Sequence, residues 1–234
     1  MESEDPREQE IIRSWYSNAA PWSHAIRTAS IASRKLVTNQ AIIDAVSGVS
    51  PSRVLDLGCG EGWLARALAD RGIRATGIDA VPELIAQAVS QAASMDLSWR
   101  PEFLVEDYSS VASRRWVGGP FDAAVCNFSL LGADSVETLI AALPFYLASS
   151  GRLIIQTLHP VAACGDQPYE DGWRAGNWLG FSSDFRDPAP WYFRTVESWQ
   201  AMLQRVGFEI LQCREPKIAG AVTPASIIWI GSLR

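Results

Sequence analysis

One stretch, Val54-Leu55-Asp56-Leu57-Gly58-Cys59-Gly60-Glu61-Gly62, constrains this chain more than any other. Its first half, preceded by Arg53, is a short apolar run of the kind that makes a strand buried on both faces. Its second half sets glycines at 58, 60 and 62, so the backbone can turn sharply and a ligand can lie against the main chain. Residues 61–71 then read as a helix ended by Gly72. A strand that passes through a glycine turn into a helix belongs to open α/β sheets, whose ligands gather at the carboxyl ends of the strands.

The same rhythm continues. Ala75–Asp79 reads as a second strand, and Val81 to about Ser94 as a helix. Glu102–Glu106 and Asp122–Cys126 read as a third and fourth strand, and a helix at about 135–148 leads into a fifth at Arg152–Leu158. Strands alternating with helices predict a doubly wound, mostly parallel sheet covered on both faces. Two final runs near 208–213 and 226–233 have no helix between them, so they should pair antiparallel. Thr195 and Gly207 bracket a helix at 196–206.

Two regions stand outside this pattern. Residues 1–50 form an N-terminal helical segment, with Ile11, Ile12, Trp15, Ile31, Leu36, Ile42, Ile43 and Val46 at helical intervals. Pro21 is expected to divide it in two, and Pro51 to end it. Residues 51–234 form the ligand-binding domain, interrupted by a long insertion at about 159–194. That insertion is rich in Gly, Pro, Asp and aromatics and shows little periodicity. A stretch this long without regular structure is commonly a lid or binding loop.

Composition narrows the class. With 234 residues, 48% of them hydrophobic, the chain can bury a sizeable core. The net charge of −6 and the lack of any basic run longer than a pair argue against a nucleic-acid partner. The start, Met1-Glu2-Ser3-Glu4-Asp5-Pro6, is acidic and no secretory leader, and no apolar run reaches the length of a membrane span. Cys59, Cys126, Cys164 and Cys213 are widely separated, without C-x-x-C spacing, so neither a metal site nor a disulfide framework is expected. A cytoplasmic protein with reduced thiols, monomer or homodimer, is the expectation.

The glycine turn differs from a dinucleotide fingerprint. G-x-G-x-x-G would need a third glycine at 63, where this chain has Trp63. Asp56 before the turn and Glu61 within it would repel a pyrophosphate, yet suit the ammonium and sulfonium of S-adenosylmethionine. Asp79 ends the second strand 23 residues after Asp56, where an acid accepts hydrogen bonds from ribose hydroxyls. Asp107, after the third strand, is placed either to accept from an adenine amino group or simply to make a turn. Tyr108 either flanks that ring or packs in the core.

Together, Val54–Gly62, Gly77-Ile78-Asp79, Glu106-Asp107, Phe121–Val125 and Gly151–Ile154 resemble the class I S-adenosylmethionine-dependent methyltransferases over roughly residues 52–158. The resemblance implies a Rossmann-like seven-stranded sheet with its last strand antiparallel, and S-adenosylmethionine as cofactor. It implies that Gly58, Cys59 and Gly60 hold the amino-acid part of the donor through their backbone. Asp79 and Ala80 would take the ribose, Asp107 and Tyr108 the adenine, and Asn127 would lie near the transferred methyl. Asn127-Phe128-Ser129-Leu130 lacks the N/D-P-P-Y/F pattern of amino-methylating enzymes that act on nucleic acid or protein, and resembles the small-molecule branch. The segments Arg194–Trp199, Val206–Ile210 and Arg214–Pro216 resemble the tail of small bacterial methyltransferases of the ubiquinone and secondary-metabolite group. The segment Trp15–Trp22 looks like a lid over the donor.

These readings leave an acceptor site to find. Arg34 is a candidate for the donor carboxylate. Trp22, Phe128, Trp178 and Trp191 are candidates to touch an acceptor, against the alternative that they are ordinary packing. The aromatics of 165–194 either wall a pocket for a planar molecule or anchor a long loop. His159, after the fifth strand, is the candidate general base or orienting group. The expected function is methyl transfer to O, N or C of a small, aromatic or heterocyclic molecule. The alternatives are a methyltransferase acting on RNA or protein, and a donor-binding protein without activity.

Overall fold

The computed structural model describes residues 5–96, 99–116 and 118–234. The acidic start read from the sequence therefore lies, for Met1–Glu4, outside the described residues. Seven strands form one sheet: β1 (Arg53–Leu57), β2 (Arg74–Asp79), β3 (Glu102–Val105), β4 (Phe121–Asn127), β5 (Leu147–Leu158), and, from the C-terminal part, β8 (Phe208–Arg214) and β9 (Ser226–Leu233). Their order is β3-β2-β1-β4-β5-β9-β8. β9 runs antiparallel to both its neighbours, and the pairings among β1–β5 are all parallel. The order reverses beside β1, so the carboxyl ends of β1 and β4 flank the switch point where a ligand crevice opens.

Alternation along the strands sets what each face buries. Leu55, Leu57, Ala124, Cys126, Leu153 and Ile155 turn to one side with Trp229. There they meet α5 (Tyr108–Ala112), α6 (Asp134–Ala142) and α8 (Val196–Arg205). Val54, Ala123, Val125 and Ile154 turn to the other, against α2 (Asn39–Ser47) and α3 (Trp63–Ala69), with α4 (Pro82–Ala93) beyond them. Near the carboxyl ends these apolar runs give way to polar residues, at Asp56, Asn127 and Gln156. Thr195 caps α8 as its sequence predicts, its hydroxyl accepting from Ser198 N–H at 3.1 Å.

Two expectations are corrected. The helix α1 spans Pro6–Arg27 without a break, so Pro21 lies inside it. Proline removes one donor and crowds the preceding turn, but Asn18, Ala19, Ser23 and Ala25 are buried on both sides of it, and that packing carries the helix through. The division falls instead after Thr28, before a π-helical turn at Arg34–Thr38. The insertion is also more ordered than its composition suggests. It holds a short helix α7 (Pro160–Cys164) and an antiparallel pair, β6 (Gly172–Arg174) with β7 (Trp191–Phe193). Each strand is only three residues long, too short for alternation to be legible in the sequence.

Candidate active site

A cavity of about 730 Å³ opens at the carboxyl ends of β1, β2 and β4, with α1 across it. That volume falls within the range of roughly 300–1,000 Å³ typical of small-molecule sites. It is lined by Asp56, Gly58, Cys59, Gly60, Asp79, Ala80, Asp107, Tyr108, Asn127 and Phe128, together with Arg34 and Trp22. Twelve of the residues singled out from the sequence thus meet in one place.

The glycine turn forms the floor. Gly58, Gly60 and Gly62 all have left-handed φ angles, +71°, +58° and +79°. At Gly58 a side chain is barred twice. Besides the backbone angle, an added Cβ would stand 2.5 Å from Ser129 Cβ and 2.8 Å from the Tyr108 hydroxyl. Both neighbours are fixed, since Ser129 Oγ donates to Leu57 O at 2.6 Å and Tyr108 Oη donates to Ser129 O at 3.1 Å. The turn after β4 carries its own strain: Phe128 is a non-glycine residue at φ +56°, a conformation most often kept where a site needs it.

Three acids surround the turn. Asp79 accepts from Gly60 N–H at 2.8 Å and Val81 N–H at 2.9 Å. Burial raises its carboxyl above the ordinary range, and those two backbone donors offset part of the rise. Glu61 is buried and paired with Arg66 at 2.5 Å. Asp56 is 2% exposed, and its Oδ2 has no hydrogen-bond partner among the described residues. Burial pushes its carboxyl up to about 7, the nearby Asp79 and Glu61 add to the rise, and Arg34 opposes it.

Arg34 complements Asp56. The π-helical turn buries its guanidinium between the indoles of Trp63 and Trp22, 4.7 and 5.5 Å from their centroids. Its Nη2 also has no hydrogen-bond partner among the described residues. Burial brings its pKa down to about 10, although Glu61 and Asp56 pull upward. An acid and a base, both buried and each with an open valence, therefore line one end of the cavity without pairing to each other. Asp107 differs: it caps α5, accepting from Ser110 N–H at 2.7 Å and Ser109 Oγ at 2.9 Å. Burial works against its charge, but these bonds win and hold its carboxyl below the usual range.

The structure does not bring every candidate to the cavity. His159, 5% exposed, lies outside the lining, with Nε2 at 3.1 Å from Glu215 Oε1. Trp178 and Trp191 are also outside it. Trp178 clusters with Phe181 and Phe185 and meets Trp15 edge-on at 5.9 Å. The loop beneath it is bound to α1 through Asn18, which bridges Arg186 N–H and O, and through Ser14 to Asp187 O. These aromatics thus anchor the insertion to α1, while Trp191 packs on Phe193.

The cavity also holds residues the sequence did not single out for it: Glu8, Ile11, Ile12, Leu131, Gly132, Ser135 and Trp63. Trp63 reads from the sequence only as an obstacle to a dinucleotide; its stacking on Arg34 is a tertiary fact. Glu8 carries no local signal beyond that of an acid in the first turn of a helix.

A methyltransferase domain family, Methyltransf_23, matches residues 31–213. The ubiquinone biosynthesis O-methyltransferase of Xylella fastidiosa (strain M23) is 31% identical over 115 residues, which cover 49% of this chain and 45% of that protein. The chain therefore matches less than half the length of that relative. Among solved structures, the Burkholderia thailandensis 1,6-didemethyltoxoflavin-N1-methyltransferase superposes over 100% of this chain and 92% of its own, with a TM-score of 0.69 at 18% identity. A methyltransferase from Methanosarcina mazei covers 81% of this chain and 97% of its own, with a TM-score of 0.62 at 21% identity. The fold is that of the S-adenosylmethionine-dependent methyltransferases, and the chain belongs to the Methyltransf_23 methyltransferase domain family.

Proposed function

We propose that this protein transfers a methyl group from S-adenosylmethionine to a small planar acceptor that carries no negative charge. One observation carries the donor assignment: Asp56 Oδ2 and Arg34 Nη2, both buried and unpartnered, line the same end of the cavity above the glycine turn. An α-amino acid head group satisfies both, its ammonium donating to Asp56 and its carboxylate accepting from Arg34. Asp79 keeps lone pairs for ribose hydroxyls beside Ala80. Asp107 and Tyr108 stand where the adenine would lie, and Gly58, Cys59 and Gly60 offer only main chain. When bound, the donor supplies a methyl group activated on a sulfonium sulfur.

The residues of the chain then orient and exclude water. Phe128, Leu131 and Ile12 wall the far side of the cavity with apolar surface. Among the described residues Arg34 is the one basic residue of the lining, and it faces the donor end. The acceptor side holds Asp5, Glu8 and Asp134 instead, which disfavours a carboxylate or phosphate on the acceptor. Alignment of acceptor atom, methyl carbon and sulfur is worth up to about 7–11 kcal/mol in well-oriented cases. The acceptor's nitrogen, oxygen or carbon forms the new bond as the carbon–sulfur bond breaks, and its proton leaves to solvent. Residues 1–50 serve as the lid, and residues 51–234 as the catalytic domain.

Support for a planar acceptor comes from the toxoflavin-precursor enzyme, whose fold spans this whole chain, and from the ubiquinone-pathway relatives. The net charge of −6 favours a small molecule over RNA. The test is methyl transfer from radiolabelled donor to a panel of phenols, catechols and fused heteroaromatic amines. Labelled product from at least one neutral member is expected. Transfer only to RNA or protein, or calorimetry showing no donor binding, would overturn the reading.

A further inference from the structure

Glu8, in the first turn of α1, is 7% exposed and lines the acceptor side of the cavity. A buried carboxylate there needs hydrogen-bond donors, and it finds them 125 residues away. Its Oε1 accepts from Ala133 N–H at 2.8 Å and its Oε2 from Ser135 Oγ at 2.6 Å; Ser135 N–H also points to Oε1, at 3.5 Å. The helix α6 begins at Asp134, and its own capping residue, Ala133, has no side-chain cap to give. Glu8 supplies both the missing cap and the negative charge that a helix start favours. Gly132 lacks room for a side chain because a Cβ there would overlap the Glu8 carboxylate and the Ser135 hydroxyl.

The same turn is gripped from the opposite side. Arg194, buried, donates to the carbonyls of Gly132 at 2.9 Å and Ala133 at 2.7 Å, and Tyr192 N–H donates to Leu131 O at 2.7 Å. Tyr192 lies in β7 and Arg194 directly follows it, so that grip belongs to the insertion; the grip of Glu8 belongs to α1. The turn itself walls the cavity through Leu131, Gly132 and Ser135, next to Phe128 and Ser129.

We propose that Glu8 is a positioning residue for the acceptor: its carboxylate joins α1 to the 131–135 turn, so that docking of α1 over the donor and shaping of the acceptor wall are one event. The proposal rests on the methyltransferase reading above. Donor binding engages α1 at its other end, where Trp22 and Trp15 line the cavity and the Tyr16 hydroxyl donates to Ala80 O at 3.0 Å. Glu8 carries that ordering to a turn the donor does not touch. A mere helix cap would steady the turn equally with and without donor. A coupling residue makes its order depend on donor.

Amide hydrogen exchange on the full chain, with and without S-adenosylhomocysteine, separates the two. In the unaltered protein the ligand is expected to slow exchange at least tenfold in both α1 and residues 131–138. In Glu8→Ala the slowing should persist in the part of α1 around Trp15–Trp22 and vanish at 131–138. Glu8→Gln keeps an accepting oxygen without the charge and should retain part of it. Gly132→Ala leaves Glu8 in the chain but displaces its carboxylate, and should reproduce Glu8→Ala. Equal ligand-dependent slowing at 131–138 in all four proteins would overturn the proposal, as would its absence from the unaltered protein when calorimetry shows the ligand bound. If the ligand does not bind the unaltered protein at all, the donor assignment fails instead. Should Glu8→Ala not fold, Glu8→Gln and Gly132→Ala carry the same comparison.

Discussion

The two ends of the cavity are built in different ways. At the end proposed for the donor, Asp56, Gly58, Asp79, Asp107 and Asn127 stand at or just beyond the tips of adjacent strands, spaced by the strand–helix period. At the end proposed for the acceptor, Glu8, Ile12, Phe128, Leu131 and Ser135 come from α1, from a strained turn and from the start of α6. The grips that assemble them span 125 residues at Glu8 and 62 at Arg194. The first end is a property of the fold, and the second of how two outlying segments dock on it. The donor end should therefore respond steeply to single substitutions, while the outer aromatic layer should matter to stability and hardly to donor affinity.

Gly58→Ala should have the largest effect. It combines a left-handed angle with overlap onto Ser129 and Tyr108, so the turn must move away from its ligand. Affinity for S-adenosylhomocysteine, read by calorimetry, should fall by about a hundredfold or more, equivalent to about 2.8 kcal/mol. Near-normal affinity would mean that the turn is not the donor floor. Asp79→Ala comes next, removing a buried carboxylate that also holds Gly60 and Val81. Hydrogen bonds to a charged group contribute about 1.5–3 kcal/mol each, which sets the expected loss at roughly ten- to a hundredfold. A loss under threefold would free Asp79 of its ribose role.

Asp56 adds a pH dependence. Its carboxyl, pushed up to about 7 by burial and by its acidic neighbours, holds a proton in the empty protein that the unfolded chain releases near 3.8. A raised acid costs stability as pH climbs between those values, so the empty protein should lose stability from about pH 4 to 7 and level off above. Donor binding runs the other way. The ammonium favours the ionised form, so affinity should fall by up to about tenfold per pH unit below 7 and level off above it, until the donor's own α-amino group loses its proton at about pH 8. Asp56→Asn should flatten both curves. Calorimetry in buffers of different ionisation enthalpy would show the proton released; zero release at pH 6 would refute the pairing of ammonium with Asp56.

What the sequence made legible follows the same division. The sheet, its glycine turn and the acids at its strand tips are local patterns: apolar runs, turn residues and fixed spacing place them without tertiary information. Asp79 needed only the strand Ala75–Ile78 before it. Glu8 could not be found this way, because an acid in a first helical turn is ordinary and its partners lie beyond any window of periodicity. Pro21 misled for a related reason, since its local cost is real but the buried residues on either side outweigh it. The aromatics of 165–194 announce burial without saying against what, and the rings around Trp178 turn out to be Phe181, Phe185 and Trp15 of α1. Trp178→Ala should accordingly lower stability by about 1–3 kcal/mol, below the full cost of a core tryptophan. Donor affinity, read by calorimetry, should stay within about threefold of normal. A tenfold loss of donor affinity would show that the outer layer reaches the donor end after all.

His159 should give the smallest effect. Position in sequence brought it forward, because a histidine just past a central strand of such a sheet often faces the ligand. Here the chain turns at His159 into α7, and the ring points to Glu215 on the segment between β8 and β9. Glu215 is mostly exposed, and a polar contact with one solvated partner contributes roughly 0–1 kcal/mol. His159→Gln should therefore change unfolding by no more than that, and leave turnover on any acceptor within about threefold. A hundredfold fall in turnover with donor affinity intact would place the imidazole back on the reaction path. It would also require α7 to move during the cycle, because no residue of α7 lines the cavity in this conformation.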